Sequence, residues 1–218
     1  MMGAAIQENP EKVRRKASKD VRRHQLIEAT ISVLAKKGYA SLTIAEVAKT
    51  AGLSVGIISF HFEGKDKLLA SCLRSLADEY YNNWKTSFDE AEASPSARLE
   101  AVLLSDFNDA IYTTQKLAAW IAFWGETQGR PVYEEICSRY DDERSRIVLD
   151  LCRELTRDGG YVHDPKLVMF GLEGICEGLW LGTVSTAARI EPYLNGQTAQ
   201  RVVRSALHAF FPKHYSGV

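Results

Sequence analysis

Residues 43–69 read TIAEVAKTAGLSVGIISFHFEGKDKLL, and this stretch decides the fold. Thr43-Ile44-Ala45-Glu46 has the form of a capping box, in which the Thr hydroxyl accepts the amide three residues on while Glu46 reaches back to the cap amide. A helix therefore begins at Ile44 and runs to about Thr50. Gly52 can take a positive φ for a tight turn, and Ser54 is suited to cap a third short helix through His61. Upstream, Leu26, Ile27, Thr30, Ile31, Val33 and Leu34 recur at helical spacing from Val21 and stop at Gly38. Two short helices around a Gly turn, preceded by a supporting helix, make a helix-turn-helix. In its second helix Ile58 and Phe62, at i and i+4, form the core face. Ser54, Val55, Ile57, Ser59 and Phe60 are left for base edges, and Gly56 permits close backbone approach.

Charge is divided along the chain. The net charge of −1 hides 12 Lys/Arg against 7 Asp/Glu in residues 1–67, and 15 against 21 in the remainder. Lys12, Arg14, Arg15, Lys16, Lys19, Arg22 and Arg23 crowd together before the helix-turn-helix, and Lys65 and Lys67 follow it. A polyphosphate backbone is the matching partner; a solvated tail followed by a charged helix face has the same charge count. Arg14, Arg15 and Lys16 suit a minor-groove arm, and a disordered tail beside the duplex has the same sequence.

The other two thirds also read as helix, so the fold class is all-α. Helical spacing continues from Lys65 to about Ala91 through Leu68, Leu69, Cys72, Leu76, Tyr80 and Trp84. Further helices are expected from Pro95 to Thr114, Lys116 to Gln128, Pro131 to about Arg157, Pro165 to about Ala188, and Gln197 to Phe211. Leu167–Val184 is apolar, with Gly174, Gly178 and Gly182 as in a membrane packing motif, but Glu173 and Glu177 argue against insertion. The same features suit a soluble helix packed closely on another.

Several function classes drop out. With 218 residues, 45% hydrophobic and 25% charged, the chain is a globular protein of one or two domains. MMGAAIQENPEKVRRK has no apolar core of signal-peptide length, which reads as cytoplasmic. Cys72, Cys137, Cys152 and Cys176 lie too far apart for a zinc ribbon or redox dithiol and read as reduced, mostly buried thiols. His24, His61, His163, His208 and His214 show no metal-ligand spacing, and no phosphate loop or nucleophile motif occurs. No catalytic set, metal or cofactor is expected, which leaves a small helical enzyme as a remote alternative.

The aromatic residues supply a candidate ligand site. Trp120 and Trp124 share a helix face with Phe123 beside them, and Trp180 follows Glu173 and Glu177 at i+7 and i+3. Aromatic faces beside a carboxylate can hold a quaternary ammonium, which donates no hydrogen bond and is bound by cation–π attraction. Ordinary packing of the tryptophans, with the glutamates paired to Arg, is the competing reading.

The run 43–69 resembles the DNA-binding domain of TetR-type repressors, including Gly56, Phe62 near the end of the recognition helix, and Lys65 opening the connecting helix. By that resemblance Thr43, His61 and Lys65 are phosphate contacts; a core-edge role for His61 stays open. Gly56-Ile57-Ile58-Ser59, Ala119-Trp120-Ile121-Ala122-Phe123-Trp124 and Glu177-Gly178-Leu179-Trp180-Leu181 are similar to the choline-responsive BetI group. The chain departs from that group in a longer basic N-terminal extension and in Glu177, where the group has Asp.

The resemblance implies a basic flexible arm over 1–19, a DNA-binding domain over 20–64 and an effector-binding and dimerisation domain over 65–218. It implies a homodimer through the helices near 164–188 and 197–211, operator DNA as partner, and choline or a similar cation as effector. Choline uptake or oxidation genes would be the target. Another effector, such as a lipophilic cation, is the alternative, and an interaction protein that no longer reads DNA is a third.

Overall fold

The computed structural model of the chain describes residues 10–126, 131–186 and 194–216. Among these residues there are nine helices and no strand: α1 Pro10–Lys37, α2 Ile44–Ala51, α3 Val55–Phe62, α4 Lys65–Glu90, α5 Pro95–Ser105, α6 Thr114–Trp124, α7 Pro131–Gly159, α8 Pro165–Thr186 and α9 Gly196–Phe210. The chain divides into two compact units, the first ending at Cys72 and the second beginning at Leu73. The division falls inside α4, which is one continuous helix.

In the first unit α1 packs on α2, and α2 on α3. Leu26, Ile31, Leu34, Leu42, Val47, Ile58 and Phe62 fill its core, so the apolar spacing read from the sequence faces inward. The Thr43 hydroxyl accepts the Glu46 amide at 3.2 Å, as the capping box requires. The other half of the box is not made: the Glu46 carboxylate pairs with Lys37 Nζ at 2.8 Å, an ion pair that also lowers the Glu46 pKa. Gly52 closes α2 at φ +64°, where a side chain would be strained. Ser54 occupies the N-cap of α3 but its side chain makes no capping bond, contrary to the expected role.

In the second unit α8 packs against α6, α7 and α9, and α5 against α7 and α9. Leu99, Leu103, Leu117, Val148, Leu155, Leu172, Val203, Leu207 and Phe211 are all buried. Ser94, Thr113 and Asn195 cap α5, α6 and α9 by accepting amides of Ala97, Lys116 and Thr198.

Two boundaries differ most from expectation. The first helix begins at Pro10 rather than Val21, so its basic residues continue a helix that apolar periodicity does not mark. The side chains of Lys12, Arg14, Arg15 and Lys16 lie outside the described residues, as do Gln128, Gly129 and Ala188. The helix expected from Pro95 to Thr114 stops at Ser105. Asp106 there turns inward to a buried arginine, and the turns after it bury Phe107 and Ile111 before Thr113 starts α6.

Candidate functional site

Two surfaces concentrate the residues expected to act. The first is the outer face of α3. Ile58 and Phe62 are buried, whereas Ser54, Val55, Gly56, Ser59 and Phe60 are exposed and Ile57 is half-buried. Phe60 is 71% exposed, a large apolar ring turned to solvent from the middle of the unit's most apolar helix. A Cβ built on Gly56 would meet nothing closer than Ser54 Oγ at 3.9 Å, and Gly56 has no positive φ. Among the described residues, nothing requires glycine there. Thr43 is exposed and Lys65 half-exposed. His61 is half-buried, with Nδ1 enclosed and without a hydrogen-bond partner among the described residues. Burial, then the charges of Lys19 and Arg23, push its pKa below the ordinary value, so the imidazole is neutral at pH 7.

The second surface is a cavity of about 260 Å³ inside the second unit. Its aromatic lining comes from four helices: Tyr80 from α4, Trp120 and Trp124 from α6, Tyr133 from α7, and Trp180 from α8. Trp124 and Trp180 stack with centroids 6.0 Å apart and planes 15° from parallel. Trp120 tilts 38° to Trp124 at 6.2 Å, and Tyr80 meets Trp120 and Trp180 edge-on at 6.1 and 5.7 Å. Hydrogen bonds fix the rings: Trp180 Nε1 donates to the Asp106 carbonyl at 3.1 Å, and Trp124 Nε1 to the Tyr133 hydroxyl at 3.1 Å. Such partners give buried indoles a single orientation.

The polar lining is acidic. Asp106, Asp141, Glu173 and Glu177 line the cavity against one cation, Arg144, a formal charge of −3. Arg144 is buried and its fork joins two of the acids, Nη2 to Asp106 at 3.0 Å and Nη1 to Glu173 at 3.0 Å. Burial opposes its charge, but Asp106 and the neighbouring groups outweigh that and raise its pKa, so the guanidinium is permanently charged. Asp106 also accepts the Tyr80 hydroxyl at 3.0 Å. Burial raises the Asp106 and Glu173 carboxyls, with Arg144 pulling both down. Asp141 and Glu177 stand at the exposed side of the cavity. Asp141 is pushed up to about 6, first by lost hydration and then by Asp142 and Glu177, against Arg144. The cavity therefore has an inner, largely neutralised ion network and an outer pair of carboxylates without a paired cation among the described residues.

Five of the six expected ligand residues meet here: Trp120, Trp124, Glu173, Glu177 and Trp180. Phe123 is buried but is not among the residues that line the cavity; as the neighbour of Trp124 it is turned about 100° from it around α6. Glu173 carries out the role of the competing reading as well, since it is paired to Arg144. Sequence reasoning missed Tyr80, Asp106, Tyr133, Asp141 and Arg144. Tyr80 counts in the sequence only as one position of the helical spacing of α4, Asp106 lies in a stretch read as helix interior, and the other three lie on the outwardly polar-looking pattern of α7.

Residues 26–72 match the family described as bacterial regulatory proteins, tetR family, and residues 95–212 match the family described as BetI-type transcriptional repressor, C-terminal. The chain belongs to the TetR family, with a BetI-type C-terminal domain. It is 31% identical over 162 residues to the HTH-type transcriptional regulator BetI of Serratia proteamaculans, covering 74% of this chain and 80% of that protein. Solved structures share the fold. A transcriptional regulator from Pseudomonas aeruginosa PAO1 aligns with TM-score 0.71 at 24% identity, over 89% of this chain and 93% of that one. A regulator from Saccharomonospora viridis in complex with choline aligns with TM-score 0.71 at 16% identity, over 87% and 96%.

This TetR-family chain is thus a transcriptional regulator of the repressor type and not an enzyme. TetR regulators bind operator DNA, form dimers and respond to small-molecule effectors. The exposed face of α3 is the second helix of that family's helix-turn-helix, and the cavity lies in the region matched as BetI-type.

Proposed function

We propose that this TetR-family regulator is a dimeric repressor released from its operator by choline or a closely related quaternary ammonium, and that it controls choline and glycine betaine genes. One observation carries the reading: three tryptophans and two tyrosines line a space whose carboxylates outnumber its cations four to one. A quaternary ammonium offers no hydrogen-bond donor, so aromatic faces and unpaired negative charge are what attract it. A cavity of about 260 Å³ is smaller than the roughly 300 to 1,000 Å³ of drug-sized sites, which favours a compact cation over a long lipophilic one. The BetI names of the relatives and the choline complex of the Saccharomonospora viridis regulator fit the same choice.

The DNA side of the proposal assigns base contacts to Ser54, Val55, Gly56, Ile57, Ser59 and Phe60, and phosphate contacts to Thr43, His61 and Lys65. In the free protein His61 is held toward its neutral form, in which it meets a phosphate as a hydrogen-bond donor. Dimerisation is assigned to α8 and α9. On α8, Leu167, Phe170, Gly174, Gly178 and Leu181 recur at i+3 or i+4 and are all exposed in the isolated chain, a stripe that a second copy would cover. By length and composition alone α8 also qualifies to cross a membrane, but Glu173, paired to Arg144, faces the cavity from it. Acting on DNA places the protein in the cytoplasm.

The test is a titration of intrinsic tryptophan fluorescence with choline beside its uncharged analogue, in which carbon replaces the quaternary nitrogen. Saturable quenching by choline alone is expected. An equal response to both compounds, or to neither, would remove the cation from the proposal and leave the DNA-binding assignment standing.

A further inference from the structure

Arg23 of α1 joins three helices of the first unit with one side chain. Its Nη1 donates to the His61 carbonyl at 3.2 Å, its Nη2 donates to Ser71 Oγ at 2.8 Å, and its guanidinium carbon lies 4.4 Å from the centroid of the Phe62 ring. His61 and Phe62 end α3, and Ser71 lies in the second turn of α4.

Each contact has a local cause. The last carbonyls of a helix have no partner within it and carry the negative end of its dipole, so a cation donating to one of them satisfies both needs. In α3 the Ser59 carbonyl takes the Glu63 amide, and Arg23 supplies the donor for His61. Gln25 does the same for α2, donating to the Ala51 carbonyl at 2.7 Å. Arg23 differs from Gln25 in also holding α4. Two acceptors on separate helices, with a ring beneath, suit a planar fork and not the single nitrogen of lysine.

Ser71 belongs to the helix that also lines the cavity. Tyr80 is nine residues further along α4, in the second unit. We propose that Arg23 is the positioning residue that couples effector to operator: its bond to Ser71 carries a displacement of α4 to the end of α3, whose angle sets the reading face. The inference rests on the repressor reading above and adds the part that makes it respond. When α4 shifts, the fork must either let go of Ser71 or draw the His61 carbonyl with it. Its clasp on Phe62 favours the second, so the recognition helix turns.

Ser71→Ala separates the two halves of the fork, since it leaves the His61 and Phe62 contacts of Arg23 intact. Operator affinity is measured by fluorescence anisotropy on a duplex from upstream of the protein's own gene, with and without saturating choline. Choline affinity is read separately from tryptophan fluorescence. The wild-type chain should lose operator affinity by a factor within the usual allosteric range of about 5 to 150. In Ser71→Ala the ligand-free operator affinity and the choline affinity should stay within about twofold of wild type, while that factor falls about fivefold or to no effect. Ser71→Thr, which keeps the hydroxyl, should restore it. Arg23→Lys should weaken operator binding even without choline. A Ser71→Ala protein released as fully as wild type overturns the coupling role. A wild-type protein that binds both operator and choline, with neither affecting the other, overturns the repressor reading and this inference with it.

Discussion

Arg144→Met tests whether the cavity rests on a buried ion network. Arg144 is 8% exposed and Asp106 3%, and the guanidinium spans Asp106 and Glu173 at 3.0 Å each. Methionine fills similar space but removes the charge, which leaves Asp106 buried with only neutral donors, the Tyr80 hydroxyl among them. Removing one partner of a buried ion pair costs roughly 3 to 5 kcal/mol, and the remaining hydrogen bond places this case near the lower end, about 3 kcal/mol. The loss should depend on pH with a definite sign. Burial already holds the folded-state pKa of Asp106 above its ordinary value, and loss of Arg144 raises it further. The folded state then binds a proton that the unfolded state releases, so the deficit is full above the folded pKa and shrinks as pH falls through it. Adding Asp106→Asn should recover most of the stability, because the uncompensated charge is gone. The assay is urea denaturation followed by far-ultraviolet circular dichroism at fixed protein concentration, at pH 8 and pH 5.5. A loss below about 1 kcal/mol, a deficit equal at both pH values, or a double variant worse than Arg144→Met would each refute the reasoning.

Other outcomes follow from the same geometry. Asp141, raised to about 6, is ionised above that pH and neutral below it, so choline should bind more tightly at pH 7.5 than at pH 5.5; calorimetric titration that finds equal affinity would exclude Asp141 from the site. Trp124→Ala and Glu177→Gln should weaken choline binding by about tenfold or more while leaving ligand-free operator affinity intact, since both residues line the cavity in the unit that starts at Leu73. Gly56→Ala has open space for its methyl and should stabilise α3 by about 0.5 kcal/mol, yet it should weaken operator binding; an unchanged affinity would show that the backbone does not approach the groove there. Lys65→Ala should weaken binding to specific and random DNA alike and lower the salt slope by about 1, as loss of one phosphate contact requires.

The sequence by itself determined the helices and the helix-turn-helix, because those depend on interactions three or four residues apart. The apolar spacing of Leu26 to Leu34, the turn at Gly52 and the face shared by Ile58 and Phe62 all register within one or two helical turns. It also determined half of the cavity for the same reason: Trp120 and Trp124 share a face of α6, and Glu173, Glu177 and Trp180 share one of α8. Local rules misled where a distant partner offered more. Glu46 leaves its cap for Lys37, and Pro95–Thr114 breaks at Asp106 because that carboxylate binds Arg144, 38 positions away. Only the tertiary structure decided that α4, α6, α7 and α8 meet around one space. It brought Tyr80, Asp106, Asp141 and Arg144 into the lining and left Phe123 out of it. The bond from Trp180 to the Asp106 carbonyl spans 74 positions and the one from Arg23 to Ser71 spans 48. Contacts of that range leave no periodic trace, because they arise from how helix faces pack and not from the repeat of any one helix.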